Sequence, residues 1–576
     1  MKYAKSENVK IVLSLLKQHN IKHVVISPGG TNIPLTQGFQ SDDFFICHSV
    51  VDERSAMYFA IGLYLELGQP IATTCTSAQA TRNYLPGLTE AFYKHVPILA
   101  ITCSKHPRHT YQEFMQAPDQ TSLPKDAVKM SYSLPHVVTN EDRLFAIRVV
   151  NEAILELSHH LSGPVQLNVP IVDSERLSFE DIELPIVRKI ERLERSDFYG
   201  ISIEGKRIMI VAGEHHAYTE EEINLINDFL KHYNAFVYVN HLSNIKTEKN
   251  IAGNLALSSM TQQFFDNELC PEILITIGGQ TGDYALFGKL NNSSVSFEHW
   301  RVCCNGDVVD TYDHLTKIFE CSFTDFFGSF ITSHNNDSDA SYYLKWLNIV
   351  NNYKLDIELP LSNIYVAQQL CNLLPKYCNL NLAILNSLRS WSFFPINDTI
   401  KCFSPVAAFG IDGAMSMTIG QSVVSDNLCF LVTGDLAFFY DMNSLGIREI
   451  RNNVRILCIN NGRGSEFTVY GKLDIDYDSY ISAANHYHTA SGWIKDCGFI
   501  YRRASTKDEL FNCLNEFVSP SEKPIVLEVI TCSDNETKAL SLIIDANKVG
   551  TTNENLKQQV KKILGSKLVG ALRKLK

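Results

Sequence analysis

Asp435 and Asn461 stand at the ends of two apolar runs, LCFLVTGDLAFFY and VRILCINNGRG, with a helix-like segment, DMNSLGIREIR, between them. Short runs rich in Val, Ile and Leu and bounded by Gly or Asn read as buried strands. The stretch is therefore strand–loop–helix–strand, with oxygen-bearing side chains at both strand ends. A Mg²⁺ ion held on a phosphorylated ligand needs such a set: one carboxylate, an amide or backbone carbonyl, water and phosphate oxygens. Asp435, Asn461 and a backbone carbonyl just beyond, at Arg463, supply the protein's share. Gly434, followed by Asp435 and Leu436, lets the backbone approach a diphosphate at a helix N-terminus. Each dipeptide alone is common in turns; the ordered pair at this spacing, each after a strand, is the informative feature.

A second acid, Glu53, opens the segment DERSAMYFAIGLYLE, in which Met57, Tyr58, Ile61 and Leu65 recur at helical spacing. A carboxylate is electrostatically favoured in a helix's first turn, and taken alone Glu53 is a helix-start charge. A helix-borne, partly buried Glu also has the properties needed to hydrogen-bond and activate a cofactor ring.

These features, taken in order with SPGGTNIPLTQGF, TSAQATRNYLPGLTEAF, VPILAITCSKHP, GPVQLNVPI and FGIDGAMSMTIG, resemble the thiamine-diphosphate-dependent enzymes of the acetolactate synthase and 2-oxo-acid decarboxylase superfamily. Within it the chain is most similar to the menaquinone-pathway branch, which adds a decarboxylated 2-oxoglutarate unit to isochorismate. The similarity covers roughly residues 1–175 and 360–535. It implies thiamine diphosphate and Mg²⁺ as cofactors, with Glu53 on the aminopyrimidine and Ile411 of GIDG propping up the thiazolium. It implies Gln79 and Asn83 on a cofactor-facing loop, Gln116 near the reacting centre, and Asn386 and Ser387 reaching the diphosphate or substrate. Active sites of this superfamily lie between two chains. Glu53 then comes from one copy and Asp435 and Asn461 from the other, in a homodimer or homotetramer.

The chain departs from that branch where the branch grips carboxylates. Thr31 stands at the place of one arginine, Trp391 at a second with Arg389 shifted by two residues, and Val406 at a third. Glu466 replaces an aliphatic residue, and it is a candidate proton relay. Each lost arginine removes charged hydrogen bonds of about 1.5–3 kcal/mol apiece, which predicts altered substrates on a retained cofactor. Lys105, His106, Arg108 and His109 follow the strand-like VPILAITC; they hold a carboxylate or phosphate, or form a solvated basic loop. The expected reaction is decarboxylation of a 2-oxo acid and transfer of the acyl-anion equivalent to an aldehyde or ketone. The alternatives are simple decarboxylation, C–C hydrolysis, or an inactive homologue that acts by binding. IGGQTGDYALFG is not a proper nucleotide-binding loop, so the middle of the chain reads as a structural domain, with flavin left open.

The elements that must position these residues are legible as HVVIS, IATTC, VPILAITC, IMIVAG, ILITIGG, LAILNS, LCFLVTG and VRILCINN, each followed by helix-like sequence. That pattern is α/β, with parallel strands buried on both faces. It divides into three doubly wound domains: pyrimidine-binding (1–180), central (200–335) and diphosphate-binding (355–535). Residues 551–576 carry seven Lys or Arg and one Glu with Leu, Val and Ile at helical steps. They read as a basic amphipathic helix that docks on the body, pairs with another chain, or touches an anionic membrane. The formal net charge of −12 argues against a nucleic-acid binder. Fifteen cysteines without CxxC pairs, no signal-peptide pattern and no membrane-length apolar run point to a reduced, cytoplasmic protein.

Overall fold

Neighbouring side chains on the inner N-terminal strands enter different cores. In His23–Ile26, Val24 and Ile26 pack with helices Glu7–Gln18 and Asn140–Glu156, while Val25 packs with helices Glu53–Leu67 and Leu85–Tyr93. Ile98–Lys105 alternates in the same way: Leu99, Ile101 and Cys103 face one core, Ile98 and Ala100 the other. A strand covered on both faces has no solvent side to mark with polar residues, so these runs read as continuously apolar. The computed structural model describes residues 1–198, 200–331, 339–466, 481–483 and 489–550. The amphipathic helix expected at 551–576 lies outside them.

Met1–Asp197 and Cys304–Cys321 form one compact unit, and Phe198–Cys303 with the residues from Ser322 onward form a second. The first carries a six-stranded, fully parallel sheet in the order Ile46–Ser49, His23–Ile26, Ile71–Cys75, Ile98–Lys105, Val165–Ile171, Ser131–Ser133. An antiparallel pair, Lys2–Ala4 with Phe179–Asp181, and a parallel pair, Glu191–Leu193 with Leu315–Phe319, belong to the same unit.

The second unit contains two parallel sheets. One runs Asn250–Ile251, Ala235–Tyr238, Ile208–Ala212, Ile273–Ile277, Glu298–Val302. The other is six-stranded, in the order Lys401–Phe403, Asn379–Leu382, Cys429–Gly434, Val454–Asn460, Ile525–Ile530, Ile500–Ala504. Its two faces also bury separate cores: Leu457 and Ile459 join one, Ile456 and Cys458 the other. The α/β class with several parallel sheets is therefore present as expected. Among the described residues no helix is long and apolar enough to cross a membrane.

Two local expectations are corrected. The strand at LAILNS ends at Leu382; Leu385 adopts φ 64 and ψ −123, which breaks extended structure, and Asn386–Trp391 is helical. After the strand Cys429–Gly434 the helix begins at Asp435 itself, running Asp435–Tyr440, and MNSLG is only a short 3₁₀ turn.

Candidate diphosphate and metal site

Asp435 and Asn461 meet because their strands are neighbours. Cys429–Gly434 and Val454–Asn460 pair in parallel, Gly434 opposite Ile459, so both chains leave the sheet at its carboxyl edge, where doubly wound folds bind ligands. Asp435 is 3% exposed. Its Oδ1 accepts the N–H of Leu436 at 2.7 Å; its Oδ2 accepts those of Asn461 at 3.1 Å and Gly462 at 2.7 Å. One carboxylate thus ties the two strand-end loops together.

Asn461 Oδ1 accepts the Arg463 N–H at 3.2 Å, and its Nδ2 donates to Ser465 Oγ at 3.1 Å. Ser465 Oγ also receives Asn386 Nδ2 at 2.9 Å. The Asn386 amide and the Asp435 carboxylate therefore tie three strand-end turns together. The first asparagine of the pair has a different task. Asn460 Nδ2 donates to the fully buried Glu528 at 2.8 Å, which also accepts Tyr501 Oη at 2.6 Å and Thr489 Oγ1 at 2.9 Å. Asn460 anchors the strand end, while Asn461 faces the cavity.

The cavity has a volume of about 110 Å³. Gly434, Asp435, Leu436, Asn461 and Arg463 line it, joined by Asn386, Ser387, Ile411 and Glu466 from other turns. All nine were expected from sequence to serve the cofactor or the reaction. The carboxylate of Asp435, the amide oxygen of Asn461 and the backbone carbonyl of Arg463 make a hard-oxygen donor set that suits Mg²⁺.

Glu536 also borders this cavity, and sequence reasoning missed it. It lies in helix Ser533–Ala546 at 6% exposure and accepts the Asn363 N–H at 3.0 Å and the Thr531 hydroxyl at 2.8 Å. Burial, with the Asp435 charge adding to it, pushes its carboxyl up to about 7.

Arg389 and Glu466 are committed to each other: Nη1 and Nη2 reach Oε2 and Oε1 at 3.1 and 3.0 Å. The guanidinium also lies 5.4 Å from the centroid of the Tyr284 ring. Both line a second, larger cavity of about 450 Å³ with Asp283, Tyr284 and Asn240. Trp391 is fully buried, its Nε1 donating to Asn363 Oδ1 at 3.2 Å. Val406 is also fully buried.

In the N-terminal unit, Asp52 caps helix Glu53–Leu67 by accepting the N–H groups of Arg54 and Ser55. That frees the half-buried Glu53 carboxylate, which receives Asn83 Nδ2 at 3.1 Å. Gln79 opens the short helix Gln79–Asn83 after Ala78, at φ 72 and ψ −123. Leu385 holds nearly the same angles before Asn386. A conformation this costly outside glycine, repeated in the strand-to-helix turn of two sheets, aims the next side chains beyond the sheet edge. Gln116 is exposed, at φ 59. Thr31 is buried, its hydroxyl 3.0 Å from Ser77 Oγ. Lys105 pairs with Asp173 at 2.5 Å. His106, Arg108 and His109 border a cleft of about 320 Å³ with His136 and Asp173, and burial together with His136 and Arg108 holds His106 below its ordinary value.

Residues 8–123 match the family described as thiamine pyrophosphate enzyme, N-terminal TPP binding domain. Over nearly its whole length the chain is similar to proteins named 2-succinyl-5-enolpyruvyl-6-hydroxy-3-cyclohexene-1-carboxylate synthase. It is 34% identical to that of Phocaeicola vulgatus, over 93% of this chain and 98% of the relative. It is 33% identical to that of Bacteroides thetaiotaomicron, over 93% and 98%, and 29% identical to that of Flavobacterium psychrophilum, over 92% and 97%. The chain belongs to the family of thiamine-diphosphate-dependent enzymes that includes these synthases.

Proposed function

We propose that this chain decarboxylates a 2-oxo acid and transfers the resulting acyl-anion equivalent to a carbonyl acceptor, using thiamine diphosphate and Mg²⁺. The observation that carries the reading is the single cavity onto which Asp435, Asn461, Asn386, Ser387 and Ile411 converge. When bound, thiamine diphosphate supplies the electron sink that a 2-oxo acid needs to lose carbon dioxide. The protein's residues do the rest. Asp435, Asn461 and the Arg463 carbonyl would hold Mg²⁺ and the diphosphate, with Gly434 and Leu436 offering a backbone bed. Ile411, which lines the same cavity, would support the cofactor's ring system. Glu53 hydrogen-bonds the aminopyrimidine, with Asn83 orienting its carboxylate.

In this reading two copies of the chain share each site, Glu53 coming from one and Asp435 from the other. The helix that bears Glu53 exposes Tyr58, Phe59 and Leu65 at 47%, 43% and 69%, with Val51 before it at 74%. An apolar face of that kind suits a partner surface better than water. The domain division 1–180, 200–335 and 355–535 belongs to the same reading. Among the described residues no cysteine is in a disulfide, which suits a reducing cytoplasm.

The relatives' name describes a product that carries a succinyl group and a ring carboxylate. The cavity around Arg389 favours a less anionic acceptor: among its described lining residues the cation Arg389 is already paired with Glu466, and Asp283 adds a further carboxylate. Incubating the holoenzyme with pyruvate or 2-oxoglutarate, with and without aldehyde or ketone acceptors, tests the reading. Acceptor-dependent formation of a hydroxyketone is the expected result. Carbon dioxide release with only free aldehyde as product would move the assignment to simple decarboxylation.

A further inference from the structure

His159 and His160 follow the helix Asn140–Glu156, and the cofactor reading uses neither. Their rings stack, centroids 3.9 Å apart, and both face Glu320, just past the strand Leu315–Phe319. His159 Nε2 lies 3.6 Å from Glu320 Oε2, and His160 Nδ1 lies 3.5 Å from Oε1. We propose that His159, His160 and Glu320 form a binding site for a divalent transition-metal ion of the zinc type.

The spacing fits. Zinc binds imidazole and carboxylate at about 2.0–2.2 Å in a tetrahedron, which sets neighbouring ligand atoms about 3.4 Å apart. All three ligand atoms already lie within 4.8 Å of one another. His160 is 65% exposed, so its ring is free to turn in and close the set, and the ion has a way in.

The surroundings fit as well. His159 is buried, and its Nδ1 sits 3.2 Å from Glu156 Oε2. Lys129 Nζ holds the other oxygen of that carboxylate at 3.0 Å. A carboxylate on Nδ1 selects the tautomer whose Nε2 lone pair faces outward, as metal-bound histidines require. That nitrogen confronts two oxygen acceptors, Glu320 Oε2 and the Asn305 carbonyl, the latter at 3.1 Å. A cation between the three satisfies them all, and the Asn305 carbonyl becomes a fourth ligand.

The backbone is shaped around the cluster. Gly306 has φ 63, and a Cβ there would stand 2.4 Å from Glu320 Oε2 and 3.0 Å from His159 Nε2. Glycine is what lets the two ligands approach. His160 itself is held at φ 53, a left-handed conformation that a non-glycine residue adopts only under constraint. Two imidazoles, a carboxylate and a carbonyl favour Zn²⁺, Co²⁺ or Ni²⁺ over Mg²⁺. The competing arrangement is a metal-free ion-pair cluster in which Arg192, with Nε 3.7 Å from Glu320 Oε2, and Lys129, on Glu156, supply the positive charge.

Full-length chain, stripped with chelator and then saturated with Mg²⁺ and thiamine diphosphate, is titrated with Co²⁺ and followed by visible absorption and calorimetry. One tight site is expected. Glu320→Gln and His160→Ala are each expected to weaken it by about 10–100-fold, with thiamine diphosphate binding and the thermal transition of the metal-free protein unchanged. Equal Co²⁺ affinity in wild type and Glu320→Gln, or no bound Co²⁺ in wild type, overturns the proposal. Because both variants lie outside the cofactor site, neither result bears on the cofactor assignment.

Discussion

Arg389 gives both of its terminal nitrogens to Glu466, at 3.1 and 3.0 Å, across a separation of 77 residues. The pair is largely shielded from water, with side chains 10% and 26% exposed, and the ring of Tyr284 lies against the guanidinium. A cation held in this way is unavailable to a substrate carboxylate until Glu466 lets go of it.

Glu466→Gln therefore releases Arg389 toward the large cavity. Apparent affinity for acceptors carrying one carboxylate is expected to rise about tenfold, the size of one charged hydrogen bond, with little change for neutral acceptors. Steady-state kinetics with a matched acid and amide acceptor read the difference. Equal KM shifts for the two would show that the pair does not govern charge selection.

Glu53 is the only side chain assigned to the aminopyrimidine. Glu53→Gln is expected to lower kcat by about 10²–10⁴-fold while the protein still folds and binds cofactor. Asn83→Ala, which removes the orienting donor at 3.1 Å, has the smaller effect. Turnover near wild type in Glu53→Gln would remove Glu53 from the chemistry.

Glu536 makes stability depend on pH. Its carboxyl is raised from 4.5 to about 7, so the folded chain binds its proton more tightly than the unfolded chain does. Between those values the folded state carries the extra proton, and stability falls as pH rises through the window. Full ionisation costs of order 3 kcal/mol. The apo-protein's melting temperature, measured from about pH 5 to 8, is expected to fall more steeply in wild type than in Glu536→Gln. Parallel profiles would mean that Glu536 is already ionised at the lower end.

Asp435 and Asn461 were legible in the sequence because both are strand-end residues on adjacent parallel strands. The signal is local, and the topology brings it together. Glu536 carried no comparable mark: a glutamate in a helix's first turn is what the helix dipole favours anyway, and its burial and its contact with Asn363, 173 residues away, are set by the fold. Arg389 and Glu466 were each noticed, but as a shifted clamp arginine and a candidate proton relay, since pairing over that separation is set by the fold. The run LAILNS hid its turn because Ala383 and Ile384 are buried beyond the strand end, where apolarity no longer signals extension. Of the four residues at helical spacing, Met57 and Ile61 are buried, while Tyr58 and Leu65 on the same helix are exposed. Periodicity alone does not separate a core face from a face awaiting a partner.

Calorimetric titration of the apo-protein with thiamine diphosphate, with and without Mg²⁺ and repeated on Asp435→Ala, tests the central claim most directly. Saturable binding that requires the metal and is lost in the variant is expected. Binding that persists in Asp435→Ala, or that ignores Mg²⁺, would contradict it.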